Sequence, residues 1–193
     1  MPNDHIFNSP NKPLQQLQLN TYQSPSAAAP TEASASQAGR LFAAGATNSA
    51  TLGLLGGSSI ITIQLTNPAG SGRTAYISRM SGGINVSLSL LSSFSGSMTI
   101  IRNGTLTGPT TLTASNLNFA SSNTSLMTVR SSTSASTGGT PILSMPLAPG
   151  PLEYNEFGDF IIPPGQSFTI TISGALSVAG VLASTANLFF WEV

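Results

Sequence analysis

Ile61, Ile63 and Leu65 alternate with Thr62, Gln64 and Thr66, a period of two that puts an apolar and a polar face on one extended strand. The same period returns at Ile84, Val86, Leu88 and Leu90, and again at Phe168, Ile170 and Ile172 against Thr169, Thr171 and Ser173. Each run reads as a half-buried strand. After the first run, Asn67-Pro68-Ala69-Gly70-Ser71-Gly72 combines a fixed proline φ with two permissive glycines, so the chain turns there. Alternation resumes with Ala75, Ile77 and Arg79 on one side and Tyr76, Ser78 and Met80 on the other. Ser59–Met80 is therefore expected to be a strand-turn-strand hairpin.

Further elements follow in order. Arg40–Gly57, with Leu41, Phe42, Leu52, Leu54 and Leu55 among Ala and Gly, reads as a buried lead-in strand. Ser97–Arg102 runs into Asn103-Gly104, a dipeptide suited to a tight hairpin. Thr110–Phe119 and Ser125–Arg130 supply two short strands, and Ser131–Thr140, lacking an apolar anchor, an exposed loop. Pro141–Pro151 is punctuated by proline and is confined to an edge or a connection. Ala186–Val193 is a terminal strand carrying the only Trp. About eight or nine short strands with regular turn signals and no helical stripe indicate an all-β protein, a single jelly-roll-like β-sandwich of two four-stranded sheets. An immunoglobulin-like order is the alternative.

Residues 1–45 differ from the remainder. Pro2, Pro10, Pro13, Pro25 and Pro30 interrupt any helix, and Ser24–Gln37 is an Ala/Ser/Pro tract with no period that buries a face. This segment reads as an extended N-terminal arm preceding a sandwich domain at 46–193. Within it, Leu14–Tyr22 sets Leu17, Leu19 and Thr21 against Gln18, Asn20 and Tyr22, enough for one short strand on an open sheet edge. Leu14, Leu17, Leu19 and Tyr22 are the candidate contacts with a neighbouring subunit.

Composition narrows the function. Charged residues are 6% of the 193, hydrophobic residues 40%, and the formal net charge is +0. So neutral a surface gives little protection against association, which suits a subunit that packs against its own copies. A single lysine and no basic cluster argue against nucleic acid as a partner. There are no cysteines, hence no disulfide, thiolate site or thiol nucleophile. No apolar run is long enough to span a bilayer, so no membrane insertion is expected. The N-terminus lacks the basic and apolar regions of a Sec-type signal peptide.

The chemistry is sparse. Asn67–Thr74 superficially resembles a phosphate-binding loop, but Asn67 stands in place of its first glycine and Arg73 in place of its lysine, and a strand follows where a helix is required. The single His is His5, in the arm, so no Ser-His pair or histidine metal cluster can form within the sandwich. Glu153, Glu156 and Asp159 are the one acidic group, considered as a calcium site or a hydrolytic carboxylate pair; electrostatic pairing is preferred. Three N-x-[ST] tripeptides are expected by chance in so hydroxyl-rich a chain. The expectation is no catalytic residue, metal site or cofactor, and no enzyme activity.

The charges are segregated. In the domain Arg73, Arg79, Arg102 and Arg130 all precede residue 131, whereas Glu153, Glu156, Asp159 and Glu192 all follow it. They pair either within one subunit or across a head-to-tail contact, where complementary charge fixes register.

A proline-rich arm before a cysteine-free, Ser/Thr/Gly-rich sandwich containing IIPPGQSFTITISG resembles the small jelly-roll subunits of bacterial spore-appendage fibres. It is similar, more loosely, to virion and tail-fibre jelly rolls. The resemblance implies an arm that inserts into the next subunit and completes its sheet. The cysteines that staple the spore-fibre subunits are absent, so cross-linking by that route is excluded. The expectation is a self-assembling structural subunit of an extracellular fibre or pilus-like appendage, its partners copies of itself, exported to a cell, spore or virion surface. The alternatives are a virion decoration, capsid or tail-fibre protein contacting a host cell, and a carbohydrate-binding sandwich contacting a surface glycan.

Overall fold

The computed structural model describes residues 8–9, 12–13, 31–88, 92–155 and 159–193. The chain forms two compact units, Met1–Pro30 and Thr31–Val193. In the first, β1 (Asn8–Ser9) and β2 (Lys12–Pro13) make a two-residue antiparallel ladder.

The second unit opens with α1 (Thr31–Gln37), although the sequence reading placed this tract in a helix-free arm. Glu32, two alanines and Gln37 favour a helix once Pro30 is passed. Gly39, at φ +64°, ends it in the left-handed conformation, with the Gly39 and Arg40 N–H groups donating to Ser36 O and Ala35 O. The domain boundary drawn at 45/46 also moves. The unit starts at Thr31, and β3 (Leu41–Leu52) already places Phe42 in the core with no exposed surface.

Eight long strands build two antiparallel sheets. They are β3, β4 (Gly57–Thr66), β5 (Ala75–Leu88), β6 (Phe94–Arg102), β10 (Thr140–Pro146), β11 (Gly150–Asn155), β13 (Ser167–Leu176) and β14 (Gly180–Glu192). One sheet has the order β11-β5-β14-β3 and the other β10-β6-β13-β4. Numbered one to eight along the chain, these are 6-3-8-1 and 5-4-7-2, the jelly-roll arrangement. The remaining strands are short: β7 (Thr110–Leu112), β8 (Ser115–Asn116), β9 (Thr128–Ser132) and β12 (Ile161–Ile162). Between the sheets, Phe42, Ile61, Ile63, Ile77, Ile100, Ile170, Leu188 and Phe190 form one continuous core.

The hairpin expected at Ser59–Met80 does not form. β4 pairs along its whole length with β13, from Thr66↔Ser167 to Gly57↔Leu176, while β5 lies in the opposite sheet beside β14. The Asn67–Thr74 segment is a crossover between sheets, too wide for a tight turn. Asn103-Gly104 likewise makes no hairpin. Asn103 adopts φ +55° but bonds to β13, its backbone N–H donating to Ser167 O and its Oδ1 accepting the Ser167 N–H.

From Asn103 the chain runs an excursion of β7, β8 and β9 that returns at β10. β9 pairs with β4 and β7 with β9, while β8 pairs with β3, so one insertion extends both sheets at the same side. It also covers the polar face of β4, which the sequence reading left to solvent. Thr62 Oγ1 donates to Ser134 O at 2.9 Å and accepts from Thr171 Oγ1. Gln64 Nε2 donates to Gly104 O and to Thr169 Oγ1. Burial of these side chains is tolerated because they are bonded. The Ser131–Thr140 loop is correspondingly anchored at its start, where Ser131 and Ser132 are buried.

Candidate functional site

The crossover Asn67–Thr74, the one segment with a passing likeness to a phosphate loop, turns several of its donors inward. The Ser71 N–H donates to Pro68 O, the Arg73 N–H to Ser71 Oγ, and the Thr74 N–H to Val193 O. An anion cradle needs such groups free. Asn67 organises the segment instead. Fully buried, it donates from Nδ2 to Arg73 O and Ile162 O, each at 2.8 Å, and accepts from Ser71 Oγ.

The segregated charges take different places. Arg73 Nη1 lies 3.5 Å from Glu192 Oε2, the one ion pair among the described residues, and it joins the two halves of the charge pattern within a single chain. Glu192 is held further by Ser125 Oγ and by the Leu126 N–H. Arg79 stacks its guanidinium 4.1 Å from the centroid of the Phe189 ring, a cation–π contact. Arg102 donates from Nε to Gln166 Oε1. Arg130, Glu153 and Asp159 are exposed. Glu156 and the arm residues Leu14, Leu17, Leu19 and Tyr22 lie outside the described residues, as does His5. Among the described residues no three His, Cys, Asp or Glu side chains gather as a metal site.

Sheet edges therefore become the informative surface. A free edge presents unpaired N–H and C=O groups that accept another strand. On one side of the sandwich, β10 carries Pro141 and Pro146 and β11 carries Pro151, which blunts both. On the other side β7 is three residues long and ends the β10-β6-β13-β4-β9-β7 sheet.

The fourth edge is different. β8 covers only Phe42 and Ala43 of β3, leaving Ala44–Leu52 without a strand partner, among the described residues, on the side away from β14. Parity follows from the flanking bonds. The Glu192 N–H donates to Arg40 O and the Leu117 N–H to Leu41 O, so odd-numbered residues direct their backbone groups outward. Gly45, Thr47, Ser49 and Thr51 thus offer N–H and C=O in register, and all four are exposed. The run is free of proline and charge. Sequence reasoning took Arg40–Gly57 as a buried strand and missed the edge, although its regular Thr/Ser alternation was visible.

The strand order defines an all-β jelly-roll sandwich that, among the described residues, has one long open strand edge on β3 and no gathered reactive side chains. No protein family, curated protein or solved structure matches the chain. No described helix is long and apolar enough to cross a membrane.

Proposed function

We propose that this protein is a self-assembling structural subunit of an extracellular fibre or appendage, joined head-to-tail by the N-terminal arm of one copy docking on the next. The observation that carries the reading is the open β3 edge at Ala44–Leu52. Main-chain bonds to such an edge supply affinity while alternate side chains set register. Leu14–Tyr22 has the matching alternation, with Leu17 and Leu19 spaced to lie beside Ala44 and Ala46 at the margin of the core. A near-neutral surface lets copies approach without repulsion.

Two variants test this. Removing residues 1–30, which ends at the boundary between the two units, is expected to leave a folded sandwich that forms no polymer in negative-stain images. Thr47→Pro removes an N–H that faces away from β14, a position where a strand tolerates proline. It should leave the denaturation midpoint close to that of the parent and abolish polymers. Normal polymers from either variant would sink the arm-and-edge reading.

The second reading, a virion coat or decoration protein, is favoured by the jelly-roll strand order, which viral capsid domains also use. Closed particles or a discrete trimer in place of open polymers would select it.

A further inference from the structure

The turn between β3 and β4 exposes two adjacent leucines. Leu54 is 86% and Leu55 97% accessible, where the sequence reading had placed both in a buried strand. The turn is nevertheless well held. The Gly56 N–H donates to Gly53 O at 2.9 Å, and Gly56 at φ +70° sits so close to β13 that a Cβ there would lie 2.1 Å from Leu176 O. A fixed pair of exposed leucines is a pre-organised apolar knob.

The knob stands on an uncharged pole. The β3–β4 turn, the β10–β11 connection and the β13–β14 connection meet at this end of the sandwich, with Val181 43% exposed. Across 49–60, 84–97, 145–152 and 174–184 the sequence has no Asp, Glu, Lys or Arg. Arg73, Arg102, Asp159 and Glu192 belong to the opposite half. The β13–β4 register, Ser167↔Thr66 at one end and Leu176↔Gly57 at the other, separates the poles by about 30 Å at ~3.3 Å per residue.

At the far pole a hollow of about 590 Å³ is walled by Ile142, Phe160, Ile161, Pro163 and Phe168, with Arg102 and Asp159 among its polar residues. Ile142 is 49% and Ile161 58% exposed. Knob and hollow are both apolar, and they face opposite ways along one molecule.

Resting on the fibre reading above, we propose that the Leu54–Leu55 turn of one copy seats in the Ile142/Ile161 hollow of the next. The occupant is a second copy because one such contact covers Leu54 and Leu55 together with Ile142 and Ile161, whereas knob-to-knob pairing leaves the hollow open. A heterologous contact between opposite poles that does not close into a ring propagates as a filament. It runs along the sandwich axis, apart from the arm on the β3 edge.

The absence of cysteine makes a cross-linking test direct. Leu55→Cys and Ile161→Cys are prepared separately, at positions exposed enough for the fold to be unaffected, then mixed and oxidised. The expected result is a disulfide-linked dimer in the mixture and none in either variant alone, with Leu54→Ser/Leu55→Ser reducing polymer at least tenfold by sedimentation. A Leu55→Cys homodimer as the main product would overturn the proposal in favour of knob-to-knob pairing. No cross-link from chains that polymerise would place the contact elsewhere and overturn this inference alone, leaving the arm reading to its own variants. A parent chain that stays monomeric at high concentration would overturn both.

Discussion

Glu192→Leu is expected to destabilise the sandwich by about 2–4 kcal/mol, the sum expected when a buried carboxylate's donors are left without an acceptor. Glu192 occupies a core-facing position of β14, in line with Leu188 and Phe190, and its side chain has no exposure. Leucine suits that volume, so little of the effect comes from a cavity. What is lost is an acceptor for the Ser125 hydroxyl and the Leu126 N–H, at 2.5 Å and 3.2 Å. These bonds tie the β8–β9 segment to the end of β14. Arg73 contributes less, because its side chain is 34% exposed and water screens the pair. Arg73→Ala should therefore cost at most about 1 kcal/mol. Equilibrium chemical denaturation of the two variants separates the contributions. Equal losses would show that the ion pair dominates and that the neutral donors find water.

Asn67→Ala should be comparably severe, about 2–5 kcal/mol from two buried carbonyls losing their donor. The Asn67 amide joins Arg73 O, Ile162 O and Ser71 Oγ. Its backbone also accepts the Gly165 N–H and donates to Gln166 O. One residue thereby locks the β4–β5 crossover to the β12–β13 turn. Asn67→Asp should be worse than the alanine at neutral pH, because carboxylate lone pairs then confront both carbonyls. Asn67→Ser, keeping one donor, should recover part of the loss. Thermal or denaturant unfolding gives the order, and an aspartate variant as stable as the parent would show that this network is open to solvent.

These two residues mark where sequence reasoning stops. Asn67 was legible only as a failed phosphate-loop glycine and a turn former; its role depends on Ile162, 95 positions away. Glu192 entered as one of four late anions, and nothing local identified Ser125 as its partner. Of the segregated cations, Arg73 alone among the described residues meets an anion within the chain, while Arg79 prefers the Phe189 ring. The β3 edge could be read as a strand but not as a free one, since its freedom depends on β8 stopping after two residues. The prolines of β10 and β11 were more informative. A residue without an N–H is excluded from a sheet interior wherever the strand is placed, and both strands indeed lie outside β6 and β5.

The residue order alone specified an all-β chain, the positions of the long strands, their apolar faces, and a poverty of reactive groups, because alternation and turn chemistry act between neighbours along the chain. Pairing is another matter. Any two alternating strands offer similar ladders, so adjacency favoured a β4–β5 hairpin, and only the simultaneous burial of both sheets' apolar faces sends β4 to β13, about a hundred residues on. The same global packing buries the hydroxyl face of β4 under an insertion, draws Glu192 to Ser125, leaves one edge of β3 unpaired among the described residues, and sets an apolar knob and an apolar hollow at opposite ends of the sandwich.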